Sequence, residues 1–247
     1  MFPIFTLMGG TMQPVVMLWQ PAVIGGLFIV GQLFTLLAVA RGDVSIAAPV
    51  LGVKVLLVPA ASQFFVDDEL SRRVWIAAAL AVAGIVCVQA RDAHVDRSRV
   101  AASIVFAFLA ACAMTLFDLL IQRWAPAWGA GYFLPIAFMC AALLSLVFLQ
   151  LADRPEDLRG RRALRPLLVG AVLMAVQAMG MTVTLGVFGD ATRVNIVYSL
   201  RGIWGVVLTW VLAHKVLDSS TKNSHRTMVM RLIGAALIGV SVVISVT

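Results

Sequence analysis

Hydrophobic residues fall along this chain in eight long blocks, at about 20–40, 44–66, 74–91, 100–124, 131–152, 166–187, 191–214 and 229–246. A helix needs ~20 mostly apolar residues to cross a bilayer, and each block has that length or comes close. Polar stretches separate them: RGD at 41–43, DDELSRR at 67–73, RDAHVDRSR at 91–99, DRPEDLRGRRALR at 153–165 and DSSTKNSH at 218–225. No block alternates with period two over ten residues, the pattern a transmembrane β-barrel requires. The pattern predicts an all-α integral membrane protein, a bundle of about eight spanning helices. Trp19, Trp75, Trp124 and Trp128 fall at block ends, where an indole sits at headgroup level.

Composition points the same way. Of the 247 residues, 62% are hydrophobic and 13% charged, against about 45–50% and 25% in soluble domains. The first charged residue is Arg41, and neither a basic n-region nor an A-x-A-like cleavage site marks a secretory signal. The net charge is +7, but the basic residues sit in short loops between apolar blocks. That placement fits anionic lipid headgroups rather than nucleic acid. Odd-numbered loops hold thirteen Lys and Arg, while even-numbered loops hold Arg72, Arg73, Arg123 and Arg193. The charge bias therefore predicts odd loops in the cytoplasm and both termini outside.

Sliding the chain on itself by 147 positions pairs TLLAVARGDVSIAAPVLGVKVLLV (35–58) with TVTLGVFGDATRVNIVYSLRGIWG (182–205) without a gap. Thr35 meets Thr182, Gly42-Asp43 meets Gly189-Asp190, and Lys54 meets Arg201. The matched helices are the second and the seventh blocks, an odd offset, so they cross in opposite senses, as in transporters built from inverted repeats. The expected organisation is a first repeat over 1–92 with three helices and a second over 99–247 with five. Subtracting 147 from the block at 131–152 lands on MFPIF at the start, which predicts that the first repeat lacks most of its leading helices.

RGDVSIAAPVLGVKV followed by DDELSRRVWIAAALAVAGI resembles the last two helices of an EamA-like repeat of the drug/metabolite transporter superfamily. The resemblance implies ten helices in two inverted five-helix repeats, of which this chain holds helices three to ten. It also implies a permease in the bacterial inner membrane. The loop acid of the first repeat is present as Glu69, while the aligned position in the second is Val216. Members of that superfamily commonly keep their termini in the cytosol, opposite to the charge count. Triose-phosphate translocators in the same superfamily use basic residues of the fourth and ninth helices on substrate phosphate. Lys54 and Arg201 fall on the helices that the resemblance makes equivalent.

The ionisable residues inside the blocks are few. Lys54 and Arg201 are the Lys and Arg near helix centres, about 16–20 Å from the ends of their blocks at helical rise, and Asp118 is the acid inside an apolar block. A Lys or Arg there costs about 2.5–3.5 kcal/mol on insertion scales and marks a functional site by default. From mid-span a lysine is too short to reach either interface. Two unmatched cations at one depth predict a positive cavity that takes a small anionic or zwitterionic solute, with guanidinium as a fork and ammonium as a point charge. Tyr198, one turn before Arg201, can donate to a bound oxyanion or simply pack. Gln32 and Gln177, near mid-helix, are either cavity contacts or interhelical hydrogen bonds. Asp118 is a candidate coupling carboxylate, a structural counter-ion that neutralises one of the two cations and leaves the other unbalanced, or a partner of Arg123 near the interface. Asn195, closer to a helix end, reads as structural.

Pro49 and Pro59 flank Lys54 by five residues on either side and predict a bent helix around it. Gly84, Gly234, Ala235 and Gly239 allow close packing within the monomer or a dimer contact. Cys87, Cys112 and Cys140 lie in apolar blocks and read as packing residues. His94, His214 and His225 lie in or beside loops, with no metal-ligand spacing and no nucleophile–base pair within one apolar segment, and no G-x-x-x-x-G-K-[ST] is present. No catalytic residue, metal, cofactor or ATP coupling is predicted. The reading is a secondary transporter working by alternating access. The alternatives are an exporter of neutral or cationic molecules, with the two cations occupied by Asp118 and structural water, or a truncated membrane protein that carries nothing.

Overall fold

The computed structural model describes residues 9–42, 44–65, 70–88, 97–151, 164–204, 207 and 225–246, and these are helical or in short connections. Asp43, Glu69, Val216, residues 1–5 and most of the charged loops behind the orientation lie outside them. The helices are α1 (Trp19–Ala40), α2 (Val44–Gly52), α3 (Lys54–Phe65), α4 (Arg72–Val88) and α5 (Arg97–Trp128). They continue as α6 (Ala130–Ser145), α7 (Leu164–Phe188), α8 (Ala191–Tyr198) and α9 (His225–Val246). No strand occurs among the described residues. Among the described residues, five helical stretches are long and apolar enough to cross a membrane: Val15–Ala40, Ile46–Phe65, Val100–Trp128, Ala130–Phe148 and Leu164–Phe188. A shorter apolar helix covers Leu232–Val246.

The chain packs as two compact units, one of residues 1–29 and 120–189, the other of residues 30–119 and 190–247. Packing builds each unit from two separate stretches of the sequence, whereas the boundary at 92/99 divides the chain by sequence likeness.

In the first unit a single residue, Gly129, joins α5 to α6. Its φ of 74° lies in the left-handed region that glycine enters without a Cβ penalty. A Cβ there would strike the backbone of Gly10, and Thr11 N–H donates to Trp128 O at 2.9 Å beside it. Trp128 itself is buried and donates from Nε1 to Gln20 Oε1 at 2.9 Å. It is a packing residue and not the headgroup anchor its place at a block end predicted; Trp19, half exposed and edge-on to Trp124 at 5.0 Å, stays at the surface. Most apolar side chains of α7 between Leu167 and Val176 are exposed, as a lipid-facing helix requires.

In the second unit one core joins Val55 of α3, Val74, Ala77, Ala78 and Ala81 of α4, and Ile196 of α8. A second joins Ala38 of α1, Ala47 of α2 and Ala107 of α5. Helices α4 and α9 approach until their backbones touch. A Cβ on Gly84 would sit 2.8 Å from Gly234 O, and one on Gly234 would sit 2.6 Å from Gly84 O. Small residues let helices meet this way where no hydrophobic effect drives association. Gly239 has open space around its Cβ position and takes no part. Gly84→Leu is therefore expected to lower stability by about 1–3 kcal/mol through overpacking, and Gly239→Ala to leave it nearly unchanged. Thermal unfolding of both variants in detergent micelles checks the contrast.

Candidate functional site

The helix at Lys54 is not continuous. It is interrupted between Gly52 and Lys54, and the backbone crosses the joint on short-range hydrogen bonds. Val53 N–H donates to Val50 O at 3.1 Å, Leu56 N–H to Val53 O at 2.8 Å and Leu57 N–H to Val53 O at 3.0 Å. Pro49 lies inside α2 and Pro59 inside α3, each without an N–H to donate, and the joint falls between them. The same pattern recurs 147 positions later, with no proline nearby. Leu200 N–H donates to Val197 O at 3.0 Å, Ile203 N–H to Leu200 O at 2.9 Å and Trp204 N–H to Leu200 O at 3.4 Å. Each joint immediately precedes a cation, Lys54 in one and Arg201 in the other. A tightened turn inside a helix frequently marks a hinge or a functional site.

Lys54 is ten residues from Val44 and eleven from Phe65, so it lies about 15 Å from either end of its bent helix. Asp118 is deeper than its sequence position indicated, because α5 continues to Trp128. Ten residues separate them, again about 15 Å. The two side chains meet: Lys54 Nζ lies 2.7 Å from Asp118 Oδ2. The lysine side chain is 17% exposed and the aspartate 1%, so the open side of the pair is the lysine's. Asn195 Nδ2 from α8 donates to the same Asp118 oxygen at 2.6 Å and to Ala191 O at 2.8 Å. Asp118 Oδ1 is buried and accepts no hydrogen bond from the protein. The hydroxyls of Thr115 and Thr192, one turn before Asp118 and Asn195 respectively, are likewise buried without a hydrogen-bond partner.

This corrects the expectation of two unpaired cations. Lys54 has its counter-ion in place, the pairing weighed above as an alternative to a cavity site. Pairing of Asp118 with Arg123 is replaced by pairing with Lys54; Arg123 is exposed near the end of α5. The physical reason is depth: at mid-span a bare ammonium is costly, and α5 carries the acid that offsets it. Arg201 behaves differently. It is exposed, donates from Nη1 to Tyr198 Oη at 2.8 Å, and lies 4.4 Å from the centre of the Tyr198 ring. That contact spreads the positive charge over a π face without neutralising it. Tyr198 thus holds the guanidinium through ring and hydroxyl together.

Asn195, which its place closer to a helix end marked as structural, contacts the ion pair directly. It stands in the apolar run VNIVY, and its counterpart 147 positions earlier is Ala48, so repeat matching did not point to it. Gln32 is half-buried on α1, in the unit that holds Lys54, whereas Gln177 is exposed on α7 of the other unit. The geometry brings Lys54, Asp118 and Asn195 together and Arg201 with Tyr198. Among the described residues no group of three or more His, Cys, Asp or Glu could hold a metal ion.

No family model matches the chain, and no curated protein matches it. Among solved structures, 26 chains match. One, a crystal structure of a protein, is 18% identical and superposes over 94% of this chain and 76% of its own, with a TM-score of 0.64. At that identity the likeness shows a shared fold alone.

Proposed function

We propose that the chain is a secondary transporter of small anionic or zwitterionic metabolites, working by alternating access. One observation carries this reading: two helices are jointed at matched positions 147 residues apart, and a cation immediately follows each joint. Jointed spanning helices that place polar groups at the midplane are how carriers built from inverted repeats hold a solute. On this reading all eight apolar blocks span the inner membrane, and the EamA-like resemblance holds for the whole chain. Arg201 offers its fork, Tyr198 a hydroxyl, and Lys54 a point charge once its own carboxylate is displaced. Gln32, in the same unit, is a further candidate contact.

The test is counterflow into proteoliposomes loaded with phosphate esters, dicarboxylates or amino acids. Arg201→Gln is expected to slow uptake at least tenfold, the factor that about 1.4 kcal/mol of lost solute contact represents. Its melting temperature should stay near the wild-type value, because Arg201 is exposed and its partner is one turn away. Wild-type uptake by this variant would remove Arg201 from the site. A second reading is favoured by the Lys54–Asp118 pair itself. With that charge already balanced, the chain suits an exporter of neutral or cationic compounds, and uptake of those but of no anion in the same assay would establish it.

A further inference from the structure

The ion pair is arranged asymmetrically. Lys54 Nζ and Asn195 Nδ2 both contact Asp118 Oδ2, at 2.7 and 2.6 Å, while Oδ1 is buried and accepts nothing from the protein. An anion arriving from the open side reaches Lys54 first, since Asp118 behind it is all but inaccessible. The solute's oxyanion and the Asp118 carboxylate are then rivals for one ammonium. A carboxylate that loses this contest would be left charged and buried, which costs several kcal/mol in a low-dielectric interior. Taking up a proton removes that cost. Oδ1 can accept it without giving up a hydrogen bond, and Oδ2 keeps the bond from Asn195.

We propose that Asp118 is a displaceable, proton-carrying counter-ion, so that each anion bound at Lys54 brings one proton onto Asp118. This deepens the transporter reading and rests on it. The balance is simple. The anion and a proton enter, the Lys54–Asp118 ion contact is exchanged for a Lys54–anion contact, and Asp118 becomes a neutral acid. The net charge of site plus solute is the same as in the empty site, and the solute moves with a proton rather than alone. Other charged or titratable groups nearby do not share this position. On α8, Arg193 is exposed with Asp190 at 3.5 Å, and Arg201 rests on Tyr198. On α5 itself, Arg123 is exposed and Cys112 half-buried; Arg72 and Arg73 begin α4 on an exposed face, and Arg41 ends α1, also exposed.

The experiment is calorimetric titration of sulfate, succinate and glutamate into the purified protein near neutral pH. Repeating it in two buffers of different ionisation enthalpy counts protons taken up per anion. The expected result is one proton for each anion, with affinity rising up to tenfold for each unit by which pH is lowered. Asp118→Asn keeps the shape and the bond from Asn195 but cannot take up a proton. It should bind the same anion at least tenfold more tightly, since nothing competes for Lys54, and with no proton uptake. Anion binding without proton uptake by the wild type, or proton uptake retained in Asp118→Asn, overturns the inference and leaves the anion reading standing. Failure of all three anions to bind the wild type overturns the anion reading, and this inference with it. Should Asp118→Asn fail to fold, the two-buffer count on the wild type still decides.

Discussion

Lys54→Met is expected to lower the unfolding free energy by about 3–5 kcal/mol, the usual cost of removing one partner from a buried ion pair. The reason lies in what stays behind. Asp118 is fully buried with one oxygen that accepts no hydrogen bond, and after the substitution Asn195 is the donor still placed on the other. The carboxylate is then left in the interior without its counter-ion, which is the source of that cost. Adding Asp118→Leu to Lys54→Met removes the stranded group and should restore most of the loss, because apolar replacement of a buried pair is often neutral or better. Unfolding in mixed micelles measures both variants and the coupling between them. A single variant as stable as wild type would mean that the pair contributes no stability. Transport should fail in the double variant even as stability returns, which separates the binding role of Lys54 from its structural one.

Much of the architecture was legible in the sequence because a bilayer imposes a length rule on apolar runs. Each described helix falls in a block marked by hydropathy, and the close contact at Gly84 and Gly234 follows from small residues facing each other. What was misjudged depended on ends and on partners. The apolar block at 100–124 ends one turn before its helix does, because α5 carries Arg123 inside it and continues to Trp128; a long basic side chain near a helix end can reach the interface from inside the span. Counted from the block's end, Asp118 is one turn too shallow. Asn195 and Asp118 lie 77 residues apart, and no local pattern records such a contact. Trp128 looked like an anchor because it ends a helix; the single-residue turn at Gly129 folds the next helix back over it. The second joint was invisible for a different reason: Ser199 and Leu200 carry no breaker signal, and only the repeat offset points to them.

Asn195→Ala is expected to destabilise the protein by about 1.5–3 kcal/mol, the range for a hydrogen bond to a charged acceptor. Its amide is buried and divides its two hydrogens between the Asp118 carboxylate and Ala191 O one turn back, so it fixes the carboxylate to α8 while Lys54 reaches it from α3. Asn195→Asp makes a sharper test. It sets a second carboxyl within hydrogen-bond distance of the first, and two such groups cannot both ionise with a single lysine between them. The folded variant must then hold a proton that the unfolded chain releases at neutral pH. By linkage, the state that binds more protons gains as pH falls. The stability deficit of Asn195→Asp should therefore shrink steadily on acidification, whereas that of Asn195→Ala should track the wild-type profile. Melting curves collected from neutral to mildly acidic pH distinguish them. If the two variants respond alike to pH, then residue 195 does not share a proton with Asp118, and the amide positions α8 without taking part in the charge balance at Lys54.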